Sequence, residues 1–196
     1  TQVIVNPLPI VDAGTYPAVC SDAAEVELIG SPAGGTWSGS GVTGNFFNPS
    51  VGTQTLTYTY TDANNCTNTD QATITVNPLP TATISAGGYT TFCDGESVTL
   101  TASEGSSYLW STGAITRAIT VSASGSYSVE VTNANGCLAT SEATVVTVKN
   151  RPEATITPDG LTTFCEGGVV KLTASPGTYY SWNPGGETTQ SIYVAQ

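Results

Sequence analysis

The chain has 196 residues, a net charge of −11 and no histidine. Its only basic residues are Arg117, Lys149, Arg151 and Lys171, too few to neutralise nucleic-acid phosphates or dock on an anionic membrane. Without histidine there is no Ser-His-Asp or Cys-His nucleophile, and no apolar run approaches the length of a membrane span.

Taken in chain order, residues 1–9 read TQVIVNPLP, and residues 72–80 repeat the phrase as ATITVNPLP. A blurred third copy, TVKNRPEATI, occupies 147–156. Independent landmarks keep the same beat. Cys20, Cys93 and Cys165 are 73 and 72 residues apart, and so are Trp37, Trp110 and Trp182. Each Trp follows its Cys by 17 residues. A second cysteine class closes the phrases TDANNC at Cys66 and TNANGC at Cys137. Agreement among so many markers defines an internal repeat, and a period of about 72 residues suits a small module with its own core. Residues 1–6 are expected to end a preceding module. Module 1 is expected at 7–77, module 2 at 78–149, and an incomplete module 3 at 150–196.

Within the second repeat, SVTLTA (97–102), SYLWS (107–111), AITVS (118–122), SYSVEVT (126–132) and ATVVTV (143–148) alternate apolar and polar residues. That period of two, with many β-branched residues, predicts strands. Gly, Asn, Ser and Asp interrupt them as turns require, and Asn135-Gly136 reads as a hairpin turn with positive φ at both residues. No window has helical spacing. The expected fold is all-β: tandem antiparallel β-sandwich modules with Trp37, Trp110 and Trp182 as central core aromatics.

The stretches GESVTLTA, YLWSTG and GSYSVEVTNANG resemble strands of immunoglobulin-like domains. More narrowly, GGTWSGSGVTGNFFNPSVGTQTLTYTYTDANNC and FCDGESVTLTASEGSSYLWSTG resemble the tandem Ig-like/PKD-like repeats of very large Bacteroidetes surface proteins. That resemblance covers essentially the whole chain. It implies export by the type IX system, an extracellular or cell-surface location, and service as an adhesin or gliding-motility filament. The usual core disulfide of antibody domains is not available, because its positions correspond to Ala102 and Val129.

The five cysteines therefore need other partners. In an Ig-like sandwich the turn holding Cys93 and the turn holding Cys137 lie at opposite ends. A strand of five or six residues spans roughly 20 Å, whereas a disulfide needs Cα atoms within about 7 Å. A bond between modules, Cys20–Cys137, fits this geometry, leaving Cys66, Cys93 and Cys165 to partners elsewhere. The intramodular alternative is Cys20–Cys66 with Cys93–Cys137. Free thiols or a metal site are the third option, weakened by the absence of His and of CxxC spacing. Either disulfide scheme implies an oxidising compartment. Prolines 7, 9, 78, 80 and 152 stiffen the junctions, so a bridged array is expected to be semi-rigid.

Asp22, Asp94 and Glu166 follow the first-class cysteines, and Asp62 and Asn133 occupy matching places in the opposite turn. They form an oxygen-ligand set for Ca²⁺, weighed against solvated turn residues. The run Asn45-Phe46-Phe47 and the pair Tyr179-Tyr180 are contact-patch candidates, weighed against packing. Asn65-Cys66-Thr67 is formally a glycosylation sequon. Paired carboxylates such as Asp94 with Glu96 and Glu25 with Glu27 are read as surface residues, and no catalysis is expected. Three functions remain. The first is a structural spacer in the stalk of a secreted or surface adhesin or filament, whose partners are neighbouring modules. The second is a module binding a surface glycan or protein. The third is a polymerising subunit whose third module accepts strands from a neighbour.

Overall fold

The computed structural model describes residues 2–195. Thr1 and Gln196, at the ends of the expected segments 1–6 and 150–196, lie outside the described residues. The described residues are all-β, of immunoglobulin-like antiparallel β-sandwich type, with one 3₁₀ turn among them at Pro49–Val51. The first repeat carries β1 (Val19–Cys20), β2 (Val26–Glu27), β3 (Thr36–Ser38), β4 (Val42–Thr43), β5 (Phe46–Phe47), β6 (Gln54–Thr61), β7 (Thr67–Ile74) and β8 (Val76–Asn77). The second carries β9 (Ile84–Ala86), β10 (Thr91–Cys93), β11 (Val98–Ala102), β12 (Ser107–Trp110), β13 (Ala118–Val121), β14 (Gly125–Tyr127), β15 (Val129–Thr132), β16 (Leu138–Thr140) and β17 (Thr144–Lys149). The third carries β18 (Ile156–Pro158), β19 (Val169–Ala174) and β20 (Ser191–Ala195). Two compact units result: Thr1–Thr90 with Ser97–Thr147, and Thr91–Glu96 with Val148–Gln196.

In the first unit, the first repeat stacks the sheet β3-β6-β7 against β2-β5-β4. Alternation decides which side chains meet. In β6, Leu56 and Tyr58 point inward while its threonines face out and pair across the ladder, Thr55 with Thr73 and Thr61 with Thr67. The core joins Leu28, Trp37, Phe47, Leu56, Tyr58, Ala72 and Ile74. Trp37 and Tyr58 are tilted rings with centroids 5.0 Å apart, and Tyr16 meets Trp37 edge-on at 6.3 Å. Tyr58 Oη donates to Pro32 O at 2.6 Å and accepts from Gly35 N at 2.8 Å, so its polar end is satisfied where its ring is buried.

The second repeat builds the sheets β13-β11-β9 and β12-β15-β16. Val98, Leu100, Ala102 and Val121 from one sheet and Trp110, Val129 and Val131 from the other are all buried. Ala102 and Val129, the positions without an antibody-type disulfide, are 2% and 0% exposed. The segment expected as one strand, 126–132, is two. Tyr127 belongs to β14, which pairs with β17, and Val129 begins β15, which pairs with β12. The break is at Ser128, whose N donates to Ser111 Oγ and whose O accepts from Ser111 N. Buried Ser141 holds the start of β15, accepting from Val129 N at 3.1 Å and donating its own N to Val129 O at 2.9 Å.

Residues 2–6 form no strand, and Val3, Ile4 and Val5 are exposed. The matching Val76–Asn77 is a strand because it finds a partner: β8 runs parallel to β1, Val19 beside Val76 and Cys20 beside Asn77.

The second unit repeats the sheet β13-β11-β9 as β18-β19-β20. Ile156 opposes Ala174 as Ile84 opposes Ala102, and Ile192 opposes Leu172 as Ile119 opposes Leu100.

Candidate functional site: the covalent junction between repeats

The linker Pro78-Leu79-Pro80 leaves the first repeat from the end of β8. Strand pairing places Cys20 beside Asn77, one residue before that linker. The turn between β15 and β16 comes to the same spot. Cys20 and Cys137 are bonded, with Cα atoms 5.6 Å apart and 117 positions between them in sequence. Cys137 is 1% exposed, and its Sγ lies 3.8 Å from Asn77 O. This is the pairing between repeats; the intramodular scheme is not formed. Cys66, Cys93 and Cys165 are free thiols, Cys66 half-buried and the other two exposed.

The turn that presents Cys137 is built from Asn133. Its Oδ1 accepts from Asn135 N and Cys137 N, each at 3.0 Å, and its Nδ2 donates to Pro78 O at 2.9 Å. One side chain therefore shapes the turn and grips the linker. Asp62 shapes the equivalent turn, accepting from Asn64 N and Cys66 N at 2.8 and 2.9 Å, but a carboxylate has no donor for a carbonyl. The first repeat instead uses Asn68 Nδ2, which donates to Pro9 O at 2.9 Å. Both lead-in prolines are thus held by an asparagine amide, from different sequence positions. The expected two-residue turn with positive φ at Asn135 and Gly136 is corrected: Gly136 adopts φ +80°, and Asn65 takes the same role in the first repeat at φ +63°. The loop is longer than a two-residue hairpin because Asn133 N donates to Cys137 O and closes it.

A second anchor of the lead-in segment is Asp70 on β7, whose Oδ2 accepts from Ala13 N at 2.8 Å. That bond, with one from the Gln71 backbone, holds the Asp70 carboxyl below the usual carboxylate range. Burial pushes the Tyr16 phenol up, partly offset by its hydrogen bond with Ile29.

The remaining candidates separate. Asp22, Asp94 and Glu166 are exposed and Asp62 is half-buried in its turn; among the described residues no three His, Cys, Asp or Glu gather to hold a metal ion. Phe47 is fully buried, while Phe46 is 45% exposed. Tyr180 is half-buried with its Oη accepting from Gly177 N, and Tyr179 stands free at 93% exposure. Trp37 and Trp110 lie in cores, whereas Trp182 is half-buried. Val129 and Val131 of β15 close the second-repeat core around Trp110; no strand takes that place beside Trp182 among the described residues of its unit. Asn65 is exposed. Sequence reading missed the roles of Asn68, Asp70 and Ser141, which carry no motif, and took Asn133 only as a turn or calcium residue.

These features define an all-β protein of immunoglobulin-like repeats, two of which are tied by a disulfide across their linker. No protein-family model matches the chain, and the comparison with curated proteins returns no match. Among solved structures it is similar to a Ca²⁺-stabilised ice-binding adhesin of an Antarctic bacterium, at 16% identity and a TM-score of 0.39, covering 96% of this chain and 64% of that one. A 1.5-MDa bacterial ice-binding adhesin matches at 16% identity and a TM-score of 0.35, with coverage of 97% and 84%. The Bacteroides ovatus mixed-linkage glucan utilization locus protein SGBP-B, solved with a mixed-linkage heptasaccharide, matches at 14% identity and a TM-score of 0.26, with coverage of 98% and 68%. Likeness at this level transfers neither ligand nor partner. No helix among the described residues is long and apolar enough to cross a membrane, which says nothing of β-barrels.

Proposed function

We propose that the chain is a non-enzymatic structural spacer: immunoglobulin-like modules at 7–77, 78–149 and 150–196 that hold separation within a secreted or cell-surface bacterial adhesin or filament protein. The observation that carries this reading is the Cys20–Cys137 bond. It joins two repeats already linked by the short Pro78-Leu79-Pro80 segment, so the linker is one of two covalent connections. Parallel pairing of β1 with β8 fixes Cys20 at the end of the first repeat, and the Asn133–Pro78 hydrogen bond adds non-covalent restraint on the linker. Two covalent connections and a hydrogen bond at one junction restrict bending there, which is the property a spacer needs. A disulfide of this kind supports an extracellular location, where it persists. Assignment to type IX-exported Bacteroidetes adhesin or gliding-motility proteins rests on the sequence resemblance alone.

Residual dipolar couplings of the intact chain test the reading. Residues 7–77 and 81–136 are expected to share one alignment tensor in the oxidised protein and to need two in Cys20→Ser. Two independent tensors in the oxidised protein would remove the basis for a spacer.

A further inference from the structure

The repeat tryptophans differ in the surroundings of one atom. Trp110 Nε1 donates to Thr116 O and Trp182 Nε1 to Thr189 O, both at 2.8 Å. In each case the carbonyl belongs to the loop that follows the tryptophan. Trp37 Nε1 makes no hydrogen bond among the described residues, although Trp37 is only 8% exposed. A buried indole N–H ordinarily finds a partner. No unpartnered side-chain nitrogen or oxygen is sealed from solvent among the described residues, so this N–H reaches the surface. Two adjoining hollows of about 260 and 270 Å³ lie against Trp37 and share Gly35 and Asn45. Their lining includes Glu27, Gly30, Thr36, Ser38 and Gly44. A Cβ on Gly30 or Gly35 would strike the Tyr58 ring, so no side chain at either position can fill the space. The opening is intrinsic to the first repeat. In the second repeat residues 111–117 connect Trp110 to β13 and lend the indole a carbonyl. In the first, the chain after Trp37 folds into the β4–β5 hairpin instead, and its turn Gly44-Asn45 lines the groove. The whole lining lies within residues 27–58, with chain on both sides of it.

We infer that this groove is a saccharide-binding site, in which Trp37 Nε1 donates to a hydroxyl or ring oxygen of a neutral sugar. The chemistry of the lining selects the class. No Lys or Arg precedes Arg117, and Glu27 lines the groove, so an anion meets repulsion and no cationic partner. Glu27 is the one carboxylate among the lining residues, short of the several oxygen ligands a hard cation takes. Glu27, Thr36, Ser38 and Asn45 are all exposed, which makes the groove a poor host for a hydrocarbon. An indole N–H donor, an accepting carboxylate, an amide and two hydroxyls suit a ligand whose groups each donate and accept, which is a polyol. Two hollows meeting at Trp37 suit consecutive rings of an oligosaccharide. The spacer reading neither requires this site nor falls with it, since the site occupies one face of the first repeat.

The test uses the intact oxidised chain with nitrogen-15-labelled tryptophan, the indole N–H resonances being assigned with Trp37→Phe and Trp182→Phe. Without ligand, the Trp37 indole proton is expected to exchange with water faster than that of Trp110. Equal rates would show the N–H to be closed and overturn the proposal. The probes are neutral hexasaccharides of glucose, mannose, galactose and xylose, with an oligogalacturonate as the charged comparison. At least one neutral probe is expected to give a saturable shift of the Trp37 resonance with Trp110 and Trp182 unmoved. The oligogalacturonate is expected to bind at least about tenfold more weakly, because its carboxylates meet Glu27. Glu27→Ala combined with Asn45→Ala, both at exposed positions, is expected to weaken the neutral probe at least about tenfold, because two hydrogen-bonding groups are lost. No saturable Trp37 shift from any neutral probe would overturn the proposal. So would unchanged affinity in the double variant, equal binding of the oligogalacturonate, or a shift confined to Trp182.

Discussion

At the residue scale, Asn133 divides into two functions that substitution can separate. Asn133→Asp keeps the oxygen that accepts from Asn135 N and Cys137 N and removes the donor to Pro78 O. It is expected to leave the turn intact and cost about 1 kcal/mol at the junction, the net worth of one hydrogen bond, read by urea unfolding. Asn133→Ala should cost more and broaden the amide signals of the whole turn. Asp70 carries the pH dependence. Its folded-state value is lowered, so its contribution is complete above the ordinary carboxylate value and is lost as pH falls through the lowered one. Asp70→Asn mimics the protonated form, so the melting-temperature gap to the natural protein should be open near about pH 6 and narrow as the pH falls below the ordinary carboxylate value. A gap independent of pH would show that the Ala13 bond does not depend on charge. None of this was legible beforehand. An asparagine or aspartate contributes through partners far away in sequence, and Asp70 binds a backbone 57 positions distant.

At the element scale, strand existence followed from alternation, and β11, β12 and β13 lie within a residue or two of their expected bounds. The short strands β9, β10 and β16 were not foreseen, since three residues are too few to show a period. The division of 126–132 was also invisible, because Tyr127, Val129 and Val131 keep one alternation while the ladder changes partner between them. Ser141 maintains that change. Ser141→Ala would leave the buried Val129 N–H without its partner and is expected to cost about 1–3 kcal/mol, with amide exchange fastest in β15. Unchanged stability would mean that water serves Val129 equally well.

At the scale of the whole molecule, the repeat was legible because spacing is a property of sequence, whereas the cysteine pairing stayed one of three options until the strands placed Cys20 beside Cys137. The fate of Trp182 was not legible, because burial depends on which strands surround a residue. Alkylation without reductant, followed by peptide mapping, is expected to label Cys93 and Cys165 fast, Cys66 more slowly, and Cys20 and Cys137 not at all. Losing the bond by Cys20→Ser should cost about 5 kcal/mol in the entropic picture, for a closed loop on the order of 100 residues. The same bond also sets the route of tension. A pull on the two ends passes from Cys20 directly to Cys137, and the 117-position separation between them defines a segment that carries no load. Stretching the oxidised chain should therefore reveal roughly 400 Å less contour than stretching the reduced one, at about 3.4 Å per extended residue. Reduction makes that hidden length available to the pulling force, so the intact cross-link acts as a limiter of extension.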